Sequence, residues 1–342
     1  GVVVVDEQRD RTVGAVVAQG LTLLLFPLYT RYLTPGDYGV LALAQSVTIV
    51  LAILFGLSLQ SAIGRLHFEA GSEEERRRLY GSVLLFLAVV PALAAAALHV
   101  AGKLGGLDLF ADAPYTPYLQ YAVGTAYLQV FLQVPVSIYQ ARQQPRPVMG
   151  LTILNAAALA GATILFVVVL EQGALGALRG MLIGAGITAV VAIAVTLRLA
   201  SPRFSRRWIR LALAFSLPLV PHLLGTWVLY LSDRLVLERF VSAADLGLYS
   251  LGAAIGTAMH FLATAAGRAF APAITLALKD PAQRGQVPLL GTFWLLGLAW
   301  AATALALLLT DVIRLLAPPE FHEATEVVAW IVFGYLAFGV YM

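Results

Sequence analysis

The sequence predicts an all-α, polytopic membrane protein with about ten transmembrane helices, and three features of its 342 residues predict it. Hydrophobic residues make up 60% of the chain and charged residues 12%, against about half and about a quarter in soluble domains. Apolar runs of roughly 20 residues, the length a helix needs to cross the hydrocarbon core, recur near 12–33, 39–62, 80–101, 117–139, 148–170, 175–197, 211–232, 246–270, 287–310 and 324–342. Laid out as spans, they put sixteen of the 22 Lys and Arg residues on one side and six on the other. Basic residues are retained in cytoplasmic loops, so the N-terminus is expected inside, in a cell (inner or plasma) membrane. The net charge of +3 then reflects topology, and no nucleic-acid partner is expected.

The first span, 12–33, has full spanning length rather than the short apolar core of a cleaved signal. It leads into RYLTPGDYG, residues 31–39. There Thr34 can cap the second span, Pro35 occupies its first position and Asp37 its third, a capping-box spacing whose carboxylate faces the positive end of the helix dipole. Ahead of the third span, Ser72 with Glu75 has the same logic. Glu73 to Glu75 followed by Arg76 to Arg78 predicts a short, solvated cytoplasmic helix. Tyr115, Tyr118 and Tyr121 before the fourth span fit an interfacial aromatic belt. In the sixth span Gly176, Gly180 and Gly184 fall on one face, which predicts close helix packing. Pro27 in the first span and Pro218 and Pro221 in the seventh remove backbone hydrogen bonds and mark points of bending.

The eighth span opens with RFVSAADLG, residues 239–247, in which Ser242 and Asp245 repeat the spacing of Thr34 and Asp37. Aligned without gaps, 31–44 and 239–252 share Arg, Asp, Gly and Leu. The two turns are six spans apart, an even number, so they define a parallel repeat. Residues 1–200 are expected to form a six-helix bundle and 201–342 a second bundle with four helices present.

Polar side chains inside a membrane are costly and are functional candidates by default. The seventh span carries His222, Thr226, Tyr230 and Asp233 at steps of 4, 4 and 3, close to one helical face. The eighth carries Thr257, His260, Thr264 and Arg268. The first offers Gln19, Thr22 and Thr30, and the second Gln45, Thr48 and Gln60. These faces either line a shared aqueous cavity or hydrogen-bond neighbouring helices, at about 0.6 kcal/mol each. Arg31, Arg234 and Arg239 are expected at the outer mouth and Arg65 and Arg268 at the inner one. Guanidinium forks suit a diphosphate headgroup. The same arginines also suit interfacial anchoring, and Arg234 can pair with Asp233 or Glu238.

There is no cysteine, which excludes disulfides, thiolate nucleophiles and Cys-based metal sites. The sequence contains neither HExxH nor a P-loop, and its outside acids are scattered. Membrane glycosyltransferase or polymerase chemistry therefore has little to work with, and the expectation is a non-enzyme with no metal and no cofactor. Any transport would draw on a gradient rather than on ATP.

FPLYTRYLTPGDYGVLALAQS near the N-terminus, FSLPLVPHLLGTWVLYLSDRLVLERF in the seventh span and DLGLYSLGAAI in the eighth resemble the polysaccharide-transporter (Wzx, O-antigen flippase) branch of the multidrug/oligosaccharidyl-lipid/polysaccharide exporter superfamily. The resemblance implies two six-helix bundles around a central cavity. It also implies export of a polyprenyl-diphosphate-linked oligosaccharide to the outer leaflet for cell-surface polysaccharide biosynthesis. The expected partners are that lipid-linked substrate, the bilayer, and a polysaccharide polymerase with other assembly proteins. A multidrug exporter or a peptidoglycan-precursor flippase of the same superfamily is the alternative. The family has 12–14 spans, so the ten found here read as part of a longer protein.

Overall fold

The structure is a computed structural model that describes residues 27–106, 110–201, 203–279 and 284–341. Gln19, Thr22 and the side chain of Arg268 lie outside the described residues, as does most of the first expected span. Among the described residues all regular structure is helical, and nine helices are long and apolar enough to cross a membrane. They coincide in order with the second to tenth expected spans.

A helical segment at 27–32 ends at the turn holding Leu33 and Thr34. Helix α1 (Pro35–Gly56) follows. Its capping box is formed: the Asp37 amide donates to Thr34 Oγ1 at 3.1 Å, and the Thr34 amide donates back to Asp37 Oδ2 at 3.2 Å. Helix α2 (Leu59–Glu69) continues the same crossing after a break. Helix α3 (Glu73–Lys103) is capped by Ser72, whose Oγ accepts from the Glu75 amide at 3.2 Å, while Glu75 accepts from the Gly71 amide at 3.0 Å. The acidic and basic triplets expected to form a separate cytoplasmic helix are instead the first two turns of α3. Nothing between Arg78 and the apolar run interrupts the backbone ladder, so the charged turns simply extend the membrane helix.

Helices α4 (Gln120–Ala141), α5 (Pro145–Ile164) and α6 (Gly173–Leu199) complete the next three crossings. The seventh crossing is split: α7 (Arg206–Ser216) and α8 (Val220–Leu237) are joined by a tight turn at Leu217–Leu219. Pro218 lies within this joint and Pro221 just after it, and the joint follows from the amide hydrogens they lack. The last crossings are α9 (Ala243–Lys279), α10 (Val287–Leu316) and α11 (Thr325–Tyr341), the last preceded by a turn at Pro319–Ala324.

By contacts the chain forms two compact units, one containing Val40–Ala243 with the residues up to Leu33, the other combining Thr34–Gly39 with the chain from Ala244 onward. Compactness groups the seventh crossing with the first unit. The expected division at 200 concerns a topological repeat, which compactness leaves open. In the first unit α6 packs on both α4 and α5, α4 packs on α2 and α3, and α7 lies across α2 and α3. The glycines of α6 face backbone. A Cβ at Gly176 would lie 2.7 Å from the Phe166 carbonyl oxygen, and one at Gly184 would lie 2.7 Å from Leu159 Cα. The small-residue face therefore does what its spacing predicts, letting two helices approach closely. In the second unit α10 packs on α11, and Gly252 and Gly256 of α9 meet Ala324 and Ile331.

Candidate functional site

The break between α1 and α2 is the most unusual piece of backbone in the first unit. Leu57 and Ser58 have φ of 46° and 57°, consecutive left-handed residues that are not glycine and cost roughly 1–2 kcal/mol each. Conformations of this kind persist where surrounding structure over-determines them, and they cluster at functional sites. The chain recovers within one turn, with the Ser61 amide donating to the Ser58 carbonyl at 3.0 Å and Ser58 Oγ bonding Ser61 Oγ at 3.2 Å.

A cavity of about 250 Å³ opens against this break, lined by Ile53, Ser58 and Gln60 of the broken crossing, Gln129 and Gln133 of α4, and Leu223 of α8. A second, of about 360 Å³, continues along the same helices and is lined by Gln60, Ser61, Gly64, Ser137, Gln140 and Gln143. Gln60 borders both. On α4 the residues Gln129, Gln133, Ser137 and Gln140 follow one another at steps of 4, 4 and 3, so one face of this helix carries the polar lining. Neither lining contains an ionisable side chain. Among the described residues no protein hydrogen bond is formed by the side-chain amides of Gln60, Gln129, Gln133 or Gln140.

Towards the Ala70 and Gln144 end, the cavity walls are held by a polar cluster around the buried His67 and Tyr80. His67 Nδ1 and the Tyr80 hydroxyl share a hydrogen bond, Arg76 donates to the His67 carbonyl at 3.1 Å, and Arg142 pairs with Glu73 while lying over the Tyr80 ring. This fastens α2, α3 and α4 to one another.

Of the polar residues singled out from sequence, Gln60 borders both cavities, and neither lining contains any of the others. Gln45 reaches Met181 Sδ at 3.8 Å. Arg65 is exposed, pairs with Glu69 at 2.9 Å and stacks 4.7 Å over the Phe215 ring. On α8, His222 and Thr226 are exposed, and the Thr226 hydroxyl donates to the His222 carbonyl at 3.0 Å. Trp227 turns the other way and donates to the Ser46 carbonyl at 3.0 Å, fixing α8 against α1. Arg234 is buried and folded back on its own helix, donating to Asp233 Oδ1 at 3.2 Å and to the Tyr230 carbonyl at 3.1 Å. Arg31 and Arg239 are exposed. In the second unit, the Thr257 hydroxyl bonds the Ala254 carbonyl, and the His260 ring lies 5.2 Å from Tyr335 and 5.1 Å from Phe338. Thr264 Oγ1 is buried without a hydrogen-bond partner among the described residues.

Two acids that look scattered in the sequence are brought together with the chain before α9. The Ala111 amide donates to Glu238 Oε1 at 2.7 Å, and the Ala243 amide donates to Asp112 Oδ2 at 3.0 Å. This reciprocal pair of carboxylate-to-amide bonds ties the loop between α3 and α4 to the 238–243 link.

These features define a multi-pass, all-helical membrane protein whose first unit holds two cavities without ionisable lining. Residues 11–277 match the family described as polysaccharide biosynthesis protein, and the chain belongs to that family. An uncharacterized membrane protein of Haemophilus influenzae is 25% identical over 275 residues, covering 78% of this chain and 64% of that protein, so the chain spans less than two thirds of this relative's length. Among solved structures, an inward-facing multidrug resistance MATE family transporter of the MOP superfamily aligns with a TM-score of 0.61 at 16% identity, over 96% of this chain and 79% of its own. The MATE multidrug transporter DinF-BH aligns at 0.60 and 17%, over 98% and 82%. A MOP superfamily transporter from Pyrococcus furiosus, described as having a binding pocket of reverse polarity, aligns at 0.56 and 15%, over 97% and 80%. The chain has the MOP-superfamily fold, in agreement with the superfamily that its sequence resembles.

Proposed function

We propose that this chain is the membrane-embedded part of a flippase that moves a polyprenyl-diphosphate-linked oligosaccharide from the cytoplasmic to the outer leaflet by alternating access, for cell-surface polysaccharide biosynthesis. Membership of the polysaccharide biosynthesis protein family is the observation that carries the reading. The bundle would sit in the cytoplasmic membrane with its N-terminus inside, on the strength of the sixteen-to-six division of basic residues. Single cysteines placed in the cysteine-free chain are expected to label from inside at Ala70, Gln144 and Phe204, and from outside at Gly36, Phe110, Gly173 and Pro318. One inside site labelled from outside overturns the orientation.

A second reading, multidrug export, is favoured by the solved neighbours named as multidrug transporters. Organic cations call for a carboxylate, and the two cavities of the first unit are lined by amides, hydroxyls and apolar side chains. That lining supports neutral or hydroxylated cargo. The discriminating experiment is complementation of a flippase-null strain by a protein containing this chain, with the accumulated lipid-linked sugar identified by mass spectrometry. Restoration of glycan export supports flipping, whereas failure with every glycan type together with efflux of a cationic dye favours the second reading.

In the flippase reading Arg31 and Arg239 present guanidinium forks to the diphosphate. Arg31→Lys and Arg239→Lys keep the charge and lose the bidentate geometry. Each is expected to lower glycan export in that assay about tenfold, the loss of one good hydrogen bond to a charged group, at unchanged protein level. Full export by both variants makes these arginines interfacial anchors.

A further inference from the structure

We infer that the paired cavities of the first unit form a glycan subsite, separate from any headgroup site, which takes uncharged sugar rings through the amides of Gln60, Gln129 and Gln133. The inference rests on the flippase reading and adds to it where one part of the cargo is held.

Four observations converge. The lining is polar without charge, whereas a site for diphosphate requires cationic donors. Each primary amide offers two donors and an acceptor, and a sugar hydroxyl both donates and accepts, so one Gln can satisfy a hydroxyl in either sense. These amides have no protein partner among the described residues and border the cavities, so their donors and acceptors are free to take a ligand that enters there. Finally, the same cavity carries Ile49, Ile53, Leu87, Val130, Val134 and Leu223, an apolar wall that suits the C–H face of a pyranose ring.

Size narrows the class. Volumes of about 250 and 360 Å³ fall on either side of the lower end of the roughly 300–1,000 Å³ of sites for drug-sized ligands. Each cavity then holds about one ring, and Gln60, which borders both, sits between successive rings of one chain. The broken backbone at Leu57–Ser58 lies between two cavity-lining residues, Gly56 and Gln60, and Ser58 itself lines the gap.

The test uses a protein containing this chain in lipid nanodiscs and three probes: a polyprenyl diphosphate carrying an uncharged tetrasaccharide, the bare polyprenyl diphosphate, and the free tetrasaccharide at millimolar concentration. Gln129→Leu/Gln133→Leu is expected to weaken binding of the glycosylated lipid by about a hundredfold, about tenfold for each amide. The same variant is expected to bind the bare lipid as the parent does and to lose the saturation-transfer signal of the free tetrasaccharide. Unfolding temperature is measured alongside; should the double variant fail to fold, Gln133→Leu alone, at an exposed cavity position, carries the comparison. Equal weakening for both lipids, or no weakening for either, overturns the subsite. Parent protein that binds neither lipid but binds the free tetrasaccharide in a Gln-dependent way keeps the subsite and overturns the flippase reading. Parent protein that binds none of the three overturns both.

Discussion

Gly247→Ala is expected to abolish accumulation of the folded protein. A Cβ at residue 247 would overlap the Pro35 carbonyl oxygen and lie 2.8 Å from the Pro35 carbonyl carbon and 3.0 Å from the Gly39 amide nitrogen. All three are backbone atoms, so no side chain can swing aside. The turn they belong to is fastened by the reciprocal bonds of Thr34 and Asp37, and Tyr38 stands edge-on to Phe321 at 6.1 Å. Helix α9 cannot easily retreat either, because Gly252 and Gly256 are pressed against Ala324 and Ile331. Overpacking usually costs 1–3 kcal/mol, and a methyl forced into backbone on a pinned helix should exceed about 3 kcal/mol. The measurement is monodisperse yield and unfolding temperature in detergent. Gly334→Ala serves as the control in the same unit, since a Cβ at 334 meets nothing within 4 Å. Equal unfolding temperatures for the two variants would show that the close approach is not what holds this turn.

That contact also shows where sequence reasoning reaches and where it stops. RYLTPGDYG and RFVSAADLG are visibly alike, and the shared glycine is visible with them. Their packing against one another depends on a partner more than 200 residues away, which no local pattern reports. Local features are legible for the opposite reason. Thr34 with Asp37 and Ser72 with Glu75 close within one turn, and span lengths follow from the thickness of hydrocarbon that a helix must cross.

The left-handed pair Leu57–Ser58 carries neither glycine nor proline, so tertiary packing overrides a sequence that reads as one continuous helix. Gly56 and the polar run Ser58, Gln60, Ser61 are the faint signal. The carboxylates of Glu238 and Asp112 meet amides 127 and 131 residues away, beyond any periodicity. The α4 stripe is a different case. Gln129, Gln133, Ser137 and Gln140 have the same 4, 4, 3 spacing that singles out His222 to Asp233, and they are equally accessible to that test. Titratable groups draw attention in a membrane because their cost is large. Neutral amides give a weaker signal, although they are the side chains suited to a ligand made of hydroxyls.

Gly180→Val should separate α5 from α6 and unfold the first unit. Lipid tails are as apolar as the side chains, so helices in a bilayer are held by close packing rather than by exclusion from water. The α5–α6 pair depends on that closeness. A Cβ at Gly180 would lie 2.6 Å from Thr163 Cα, 2.8 Å from the Thr163 nitrogen and 3.0 Å from the Ala162 carbonyl carbon. Gly176 and Gly184, one turn to either side, make equally close approaches to Phe166 and Leu159. Valine adds two further methyl carbons at the centre of this three-point contact. The helices must then move apart, and the neighbouring contacts are lost along with the one at 180. Helix α6 is also the element on which α4 rests, so the damage reaches the wall that carries Gln129 and Gln133. The expected loss is more than about 3 kcal/mol, read as a lowered unfolding temperature and a fall in monodisperse yield. Gly161→Val, on an exposed face of α5 where a Cβ meets nothing within 4 Å, should stay within about 0.5 kcal/mol of the parent. If Gly180→Val and Gly161→Val unfold together, the glycine face is not what joins α5 to α6, and the pair must be held by the surrounding helices instead.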